Sequence, residues 1–377
     1  MDPMTHRERV LAALNHRSPD RVPMDLGSTR VTSLVKAEYE KLKRHFGLQS
    51  KTVVIDKIQQ AVKVDEEILQ ALDIDTRGVF VGGPDRSRDE TLPDGRWLDE
   101  WGVIRKPSAN GYYFDLDVSP FAGEPAGQDL EGHPWPDPDD PGRYRGLRDE
   151  ALRLRHETDY AVVGHAPGGW IHISQYLRGF EGWFEDLALR PGFAIQLMER
   201  VLDLSLRMAG HFLDAVGDLI DVVAVGDDVG MQRSPMVSPG MYRGLIWPLQ
   251  KRQFSFLRER TQAKIFYHTC GAVYTILPDI IDLGVNILNP VQVSAADMGD
   301  TARLKREFGD RLCFWGGVDN FRILPSGSPG DVREEVARRV RDLGAGGGYV
   351  LNAVHNIQPD VPVENILALY QAGKQTA

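Results

Sequence analysis

Short apolar runs recur along the whole chain and predict the framework of the fold. Each run is rich in Val, Ile, Leu or aromatic residues, and most end in Gly, Asp, His or Pro. Runs of this kind are typical of parallel strands buried on both faces. The predicted strands lie within residues 21–26, 75–83, 160–169, 221–230, 264–271, 285–292, 312–319 and 348–355.

Amphipathic segments with helical periodicity separate the later runs. The longest predicted helix covers residues 192–217, and a charged helical extension is predicted within residues 1–20, with Thr5 as its N-cap. Glycines stand where helix C-caps are expected, at Gly217, Gly284, Gly309 and Gly344. Strands alternating with helices predict a (β/α)8 TIM barrel. An open doubly wound sheet is the alternative, but no GxGxxG or GxxxxGK[ST] motif follows an early strand.

Residues 84–150 interrupt this alternation and are rich in Pro, Gly and Asp. LPDG predicts a turn, and the alternating stretch WLDEWGVIRK after it predicts a strand. We therefore expect a β-hairpin and long loop inserted after the second strand, within a single domain that spans residues 1–377. Such a long insertion serves either as a surface lid or dimer element, or as a solvated spacer.

Composition narrows the class of protein. The 377 residues are 42% hydrophobic and 26% charged, which is typical of a soluble chain with a large core. The net charge of -10 argues against nucleic acid or an anionic membrane as the main partner. The N-terminus has no apolar signal-peptide core, and no apolar run approaches the roughly 20 residues of a membrane span. With only two cysteines the sequence argues against a disulfide framework, so we expect a cytoplasmic enzyme.

Polar residues cluster at the ends of the predicted strands, where TIM barrels place their chemistry. This set consists of Asp25, His165, Asp227, Asp228, His268, Cys270, Asn289, Gln292, Asp319 and His355. Packing alone does not require imidazoles, carboxylates and amides at so many strand ends. The pattern predicts a functional site at the mouth of the barrel.

His268 and Cys270 are two residues apart on one predicted strand, so both side chains point to the same face. An imidazole and a thiolate suit Zn²⁺, although buried packing explains this spacing equally well. His355 ends the last strand and is the predicted third ligand from across the mouth. Its alternative role is that of a general acid or substrate-binding residue.

The remaining polar residues carry several interpretations. Asp227 and Asp228 suit metal ligation, orientation of a ligand histidine or general-base catalysis, and one of them suits helix capping. His165 precedes a Gly-Gly pair that would let a ligand approach closely, or it is satisfied by the loop backbone. Asp319 binds substrate or caps the next helix. Cys313, at the start of its strand, is predicted to be a buried apolar residue.

Five stretches resemble the uroporphyrinogen decarboxylase superfamily. They are ERVLAALNHRSPDRVP, VGDDVGMQRSPMVSPGMYR, YHTCGAVYTILPDIIDLGVNILNPVQ, FWGGVDNFRILPSGSPGDVREEV and GGGYVLNAVHNIQPDVPVENILALY. The resemblance covers most of the chain, and it is strongest from about residue 220 onward. It implies a TIM barrel with an N-terminal helical extension.

Two chemistries are known in this superfamily, and the motifs separate them. The decarboxylases carry an Arg-Gln-Ala-Gly-Arg stretch after the first strand and an Asp after the second. This chain has DLGSTRVTSL, with Arg30 alone, and then VFVGGP. It is more similar to the methylcobamide:coenzyme M methyltransferases, whose zinc-binding His-x-Cys matches His268 and Cys270. Their third ligand is a cysteine, and His355 stands at that place here.

The resemblance thus implies a zinc-dependent methyltransferase that moves a methyl group between a corrinoid protein and a thiol or related acceptor. No Asp-x-His-x-x-Gly segment is present, so the corrinoid would come from a partner protein. Homodimers are common in the superfamily. The residues assigned to binding of the small-molecule substrate are Arg30, His165, Asn289, Gln292 and Asp319.

Two alternatives to methyl transfer remain. One is metal-free uroporphyrinogen decarboxylation, or another lyase reaction that uses Asp and His as acid and base. The other is a barrel that only binds a ligand or partner.

Overall fold

The computed structural model of the chain describes residues 3–86 and 89–376. The strands are β1 (Val53–Asp56), β2 (Ala61–Lys63), β3 (Thr76–Phe80), β4 (Glu90–Thr91), β5 (Trp97–Leu98), β6 (Ile104–Pro107), β7 (Phe114–Val118), β8 (Ala161–His165), β9 (Val222–Gly226), β10 (Lys264–His268), β11 (Ile287–Asn289), β12 (Cys313–Trp315) and β13 (Tyr349–Val350). The helices are α1 (His6–Leu14), α2 (Lys36–Phe46), α3 (Glu66–Leu72), α4 (Gly127–Gly132), α5 (Leu147–Glu157), α6 (Trp170–Arg178), α7 (Phe180–Leu189), α8 (Pro191–Val216), α9 (Pro239–Met241), α10 (Trp247–Arg260), α11 (Leu277–Asp282), α12 (Thr301–Phe308), α13 (Ile323–Ser326), α14 (Pro329–Leu343) and α15 (Val363–Lys374).

Seven strands form one parallel sheet in the order β13-β12-β11-β10-β9-β8-β3. The first predicted strand closes it. Asp25 N–H donates to the Leu351 carbonyl at 3.0 Å, and Leu351 N–H donates to the Pro23 carbonyl at 2.8 Å. On the other side Asp75 N–H donates to the Met24 carbonyl at 2.9 Å. Residues 23–25 therefore bridge β13 and β3, and the predicted (β/α)8 barrel is confirmed.

Alternation along the strands divides the core into two layers. In β9, Val222 and Ala224 belong to a small buried cluster inside the barrel, whereas Val223 and Val225 belong to the larger layer beneath the helices. In β10, Phe266 points inward with that small cluster. Because residues two apart share a face, His268 also points into the barrel, at the end where the strands finish.

The N-terminal helix packs against the strand ends opposite the mouth. This helix is α1, which is shorter than the predicted range of residues 1–20. Its residues Val10 and Leu14 are buried in the small cluster inside the barrel. Thr5 is its N-cap, as predicted, in a capping box with Glu8.

The insertion is more regular than predicted. Strands β4 to β7 form a four-stranded antiparallel sheet in sequential order, where the sequence predicted a hairpin and loop. The single strand expected for WLDEWGVIRK was wrong, since a turn at residues 99–102 divides it into β5 and β6. The Asp99 carboxylate accepts the N–H groups of Trp101 and Val103, and Gly102 has φ +80°. An Asp at the start and a Gly at positive φ are strong turn signals that outweigh the alternating pattern.

Among the described residues, no helix has both the length and the apolar character that crossing a membrane requires.

Candidate metal centre

A cavity of about 440 Å³ lies at the mouth of the barrel, beneath the inserted sheet. Strand ends form its floor, and residues of β5, β6 and the turn between them form part of its wall. The residues that matter for its chemistry are Arg30, Lys57, Trp97, Asp99, Glu100, Arg105, Arg143, His165, His172, Tyr176, Asp228, His268 and His355.

Three donor side chains converge beside this cavity: His268 and His355 line it, and Cys270 lies next to them. His268, Cys270 and His355 each offer one potential ligand atom, and these atoms all lie within 4.8 Å of one another. The Cys270 Sγ is 3.5 Å from the His268 Nε2. The rings of His268 and His355 stand nearly perpendicular, with their centroids 5.2 Å apart. The imidazole and the thiol therefore approach each other, although β10 ends at His268 and Cys270 lies in the loop after it. His355 reaches them from across the mouth.

The local sequence makes room for this convergence. Gly226 ends β9 directly beside His268 on β10. A Cβ at Gly226 would lie 2.9 Å from the Cβ of His268, closer than real Cβ contacts occur. The glycine at this strand end thus lets the imidazole lie across the neighbouring strand.

A buried amide fixes the orientation of the His268 ring. The Asn289 Nδ2 donates to the Trp315 carbonyl at 2.9 Å, so the Asn289 Oδ1 must face His268 as an acceptor. The His268 Nδ1–H donates to this oxygen at 2.6 Å. The proton is therefore on Nδ1, and the Nε2 lone pair points toward Cys270, which is the tautomer a metal requires.

The protonation states also suit a metal. Burial lowers the pKa of His355 to about 3, and burial likewise lowers the pKa of His268, so both rings are neutral near pH 7. Burial, together with the nearby charge of Asp228, raises the pKa of the Cys270 thiol well above its ordinary value of 9.0. A cation at this point would compensate the buried thiolate, and the residues present fit Zn²⁺.

Asp228 contacts two of the three donor residues but does not belong to the group itself. Its Oδ1 accepts the Cys270 N–H at 2.7 Å and lies 3.9 Å from the His268 Nε2. Burial alone would raise the pKa of Asp228, but the hydrogen bond and charge of His172 outweigh it and hold that pKa well below its usual range. Asp228 is therefore an ionised carboxylate that orients the Cys270 backbone, and it is a weak base.

Asp227 has the capping role that the sequence left open for one of the pair. Its two carboxylate oxygens accept the N–H groups of Ile171 and His172, at 3.1 Å and 3.0 Å. These are the second and third residues of α6. Because both oxygens are occupied by this helix N-terminus, the geometry does not support Asp227 as a metal ligand or general base.

Sequence reasoning missed His172. Its Nδ1 lies 3.2 Å from the Asp227 Oδ1, and its Nε2 lies 3.5 Å from the Asp228 Oδ2. Burial opposes the charged form, but the two carboxylates raise the pKa of His172 well above 6.5, so the ring is a cation. The sequence prediction considered strand ends, whereas His172 lies in the first turn of α6, the helix that follows β8. The GGWIH stretch following a strand that ends in His165 was the available signal.

Two predicted substrate residues line the cavity. The Arg30 N–H donates to the His165 Nδ1 at 3.3 Å, which leaves the imidazole proton on Nε2. Burial, followed by the charge of Arg30, lowers the pKa of His165 well below 6.5, so the ring is neutral. The Arg30 Nε is buried and has no hydrogen-bond partner within the described part of the chain.

The other three predicted substrate residues are not among those that line the cavity. Asn289 is occupied by His268 and Trp315, as above. The Gln292 Oε1 accepts the Gly271 N–H at 2.7 Å and so holds the loop after Cys270. The Asp319 Oδ1 accepts the N–H groups of Phe321 and Arg322, which is the capping alternative. Each is buried and bonded to backbone or to another side chain.

Cys313 lies at the start of β12, in the inner cluster, and is buried as predicted.

Comparison with known proteins places this chain in a family. The family model of uroporphyrinogen decarboxylase (URO-D) matches residues 114–376. A curated uroporphyrinogen decarboxylase of Alkalilimnicola ehrlichii is 25% identical over 380 residues, which cover 98% of this chain and 93% of that protein. The uroporphyrinogen decarboxylase of Psychromonas ingrahamii is 23% identical, and the alignment covers 95% of this chain and 94% of that protein.

A solved structure shares the whole architecture. A methyltransferase from Methanosarcina mazei aligns over 99% of both chains with a TM-score of 0.68 and 20% sequence identity, which demonstrates a common fold. The family match extends over well more than half of the chain and includes every residue of the donor group. This chain therefore belongs to the uroporphyrinogen decarboxylase family of enzymes.

Proposed function

We propose that this protein is a zinc-dependent methyltransferase that moves a methyl group between a corrinoid protein and a thiol or related acceptor. The observation that carries the proposal is the convergence of His268, Cys270 and His355, whose ligand atoms lie within 4.8 Å of one another. The metal-free decarboxylation proposed as the alternative has no need of such a thiol.

The donor set favours zinc and leaves room for a substrate. Two neutral imidazoles and one thiolate are ligands that Zn²⁺ accepts, and three protein ligands leave a fourth position open in catalytic sites. Bound there, the ion would act as a Lewis acid that favours the deprotonated form of a substrate thiol at neutral pH.

The protein's own residues prepare this position. Asn289 holds His268 in the tautomer that presents Nε2, and Asp228 holds the backbone of Cys270. Such outer contacts orient metal ligands and sustain metal affinity. Asp228 therefore orients the site and does not serve as the proton acceptor.

The charges of the cavity indicate how the substrate is held. Its other long cationic side chains are all paired with protein carboxylates: Lys57 with Asp89, Arg105 with Asp99, and Arg143 with Glu100. Arg30 has no carboxylate partner among the described residues, and its Nε is an unused buried donor. With the neutral His165 beside it, Arg30 is suited to bind one acidic or strongly accepting group of a small substrate.

Uroporphyrinogen decarboxylation is the second candidate, favoured by the name of relatives that align over nearly the whole chain. Two observations rank it lower. A tetrapyrrole with carboxylates on every ring requires several unpaired cations, and this cavity offers Arg30. The strand that carries an Asp in the decarboxylases ends here in Phe80, which stacks on His165 with ring centroids 6.2 Å apart.

Metal analysis tests the donor group, with the second cysteine as a matched control. Purified wild type and Cys313→Ala are expected to hold about one zinc per chain, because Cys313 lies at the opposite end of the barrel strands. Cys270→Ala is expected to lose most of that zinc at equal protein concentration. Full zinc in Cys270→Ala, or none in wild type, would contradict the metal site.

Two assays on the zinc-loaded protein then separate the candidate reactions. Free methylcobalamin and a small thiol serve as substitutes for the partner and acceptor, and loss of the methyl–cobalt absorption reports transfer. We expect transfer with wild type and none with Cys270→Ala. Stepwise loss of carboxyl groups from uroporphyrinogen would instead establish the decarboxylase.

A further inference from the structure

The inserted sheet is anchored to the wall of the cavity through Arg105 on β6. Arg105 is only 2% exposed, and its Nε donates to the Asp99 Oδ2 at 2.9 Å. The other oxygen of Asp99 accepts two backbone N–H groups of the β5–β6 turn. The guanidinium therefore has a fixed position at the underside of the insertion.

From this position Arg105 contacts a helix of the barrel. Its guanidinium carbon lies 4.3 Å from the centroid of the Tyr176 ring on α6, within cation–π distance. Trp97 of β5 lies on the same guanidinium at 5.8 Å. Arg105 thus joins the insertion to the middle of α6, and Phe121 joins it to the end of that helix through hydrogen bonds with Leu177 and Arg178.

The contact continues along α6 toward the donor group. Tyr176 is four residues after His172, so both lie on one face of the helix. Their rings stack with centroids 6.1 Å apart and an interplanar angle of 22°. His172 in turn lies between Asp227 and Asp228, and Asp228 accepts the Cys270 N–H.

We propose that Arg105 is a positioning residue that couples the insertion to the metal centre, by holding Tyr176 and His172 so that Asp228 fixes the Cys270 loop. This inference rests on the proposed function, since it concerns the geometry of the same donor group. It assigns a role to the insertion: the sheet sets the geometry of the site beneath it as well as covering the cavity.

Arg105→Lys separates charge from shape. Lysine keeps the positive charge opposite Asp99 but lacks the planar guanidinium that stacks on Tyr176. We expect Arg105→Lys to weaken zinc binding about tenfold, the lower end of the range for residues that orient metal ligands. Chelator competition measures this affinity, and the visible spectrum of the Co²⁺-substituted protein reports the altered ligand geometry.

Lys106→Gln is the matched control. Lys106 is the next residue on the same strand, is largely exposed and pairs with Asp117 on the sheet itself. It should leave both the zinc affinity and the Co²⁺ spectrum unchanged. Thermal unfolding of both variants confirms that they are folded.

A double-mutant cycle tests the route through Tyr176. Tyr176→Leu should weaken zinc binding to a similar degree as Arg105→Lys, and the double variant should be no weaker than either alone. Residues that act through one contact are non-additive, whereas independent effects add. Additive losses would overturn the proposed route.

The metal-free protein provides a readout that does not depend on zinc. Arg105→Lys should shift the ring resonances of His172 in NMR spectra of ¹⁵N-histidine-labelled protein, assigned with His172→Gln. Lys106→Gln should not shift them, and the exposed His156 should remain unchanged in both.

The outcomes distinguish the two proposals. A wild type without zinc overturns the proposed function, and the His172 resonances still decide whether Arg105 positions that ring. A wild type that binds zinc, with unchanged affinity in Arg105→Lys, overturns only the role of Arg105.

Discussion

At the scale of single residues, one asparagine determines which nitrogen of His268 faces the cavity. Both ends of the Asn289 amide are used, one by the Trp315 carbonyl and one by the His268 Nδ1–H. Reversal of the amide would place its oxygen against the Trp315 carbonyl, two acceptors with no proton between them, so the Asn289 oxygen faces His268 and the arrangement permits a single tautomer. Asn289 thereby presents the His268 Nε2 to Cys270 and to the proposed zinc.

Asn289→Ala tests this control of the tautomer. Without its acceptor, His268 is free to rotate and to carry its proton on Nε2, and we expect zinc affinity to fall about 10- to 100-fold. Asn365→Ala is the control, because this buried asparagine donates to the carbonyls of Leu324 and Gly327 instead. It should lower stability and leave zinc affinity intact. Equal zinc affinity of Asn289→Ala and wild type would contradict the orienting role.

At the level of secondary structure, α6 connects the cavity to the insertion. The N-terminus of this helix is capped by a residue that is distant in sequence. Gly169 precedes the helix and has no side chain to accept its first N–H groups. Asp227, at the end of a neighbouring strand, accepts two of them instead. The cap therefore ties the start of α6 to the floor of the mouth.

Asp227→Ala is expected to lower the free energy of unfolding by about 1–2 kcal/mol, because two helix N–H groups lose their acceptor. Asp227→Asn keeps one acceptor oxygen and should cost less. Urea unfolding followed by circular dichroism measures both. If the two variants unfold at the same urea concentration as wild type, the capping role is wrong.

At the level of the whole molecule, one buried carboxylate joins the elements that close the barrel. Asp75 precedes β3, and its side chain binds Arg9 of α1 and Arg21 of the first strand segment, each at 2.7 Å. It also accepts the Met24 N–H at 2.7 Å and contacts the His6 Nδ1 at 2.8 Å. The N-terminal helix, the first strand and β3 therefore meet at this carboxylate.

The Asp75 cluster makes stability depend on pH. Burial alone would raise the pKa of Asp75, but the hydrogen bonds from His6 and Arg21 and the nearby positive charge lower it below its ordinary value of 3.8. The unfolded chain then binds the proton more readily than the folded one. The stabilisation is complete above about pH 4 and is lost as the pH falls from there toward the folded-state pKa.

Asp75→Asn is expected to lower the free energy of unfolding at pH 7 by about 3 kcal/mol, the lower end of the range for breaking a buried ion pair, since Arg9 and Arg21 lose their buried partner and keep only the partly exposed Asp20 and Asp73. It should also reduce the difference in stability between pH 7 and pH 3. Asp218→Asn, which removes an exposed partner of Arg148, is expected to cost less than about 1 kcal/mol. Urea unfolding at both pH values makes the comparison. An unchanged pH dependence in Asp75→Asn would contradict the account of the closure.

The eight strands of the barrel, and the strand ends that carry chemistry, could be predicted from the amino-acid sequence. Both follow from local periodicity: apolar runs with flanking turn residues identify buried strands, and a spacing of two places His268 and Cys270 on one face. The inserted sheet was predicted less well. The turn at residues 99–102 lies within a stretch of alternating polar and apolar residues that is typical of one continuous strand.

Which polar residues share a site, and what each one contacts, depends on the three-dimensional packing of the chain. Asp227 and Asp228 are neighbours in sequence, yet one caps α6 and the other holds Cys270. Asn289 lies behind His268 and fixes its tautomer, and His172 comes from helix α6. These roles depend on barrel register and on loops that meet from distant parts of the chain. Sequence periodicity is local and carries no information about such contacts.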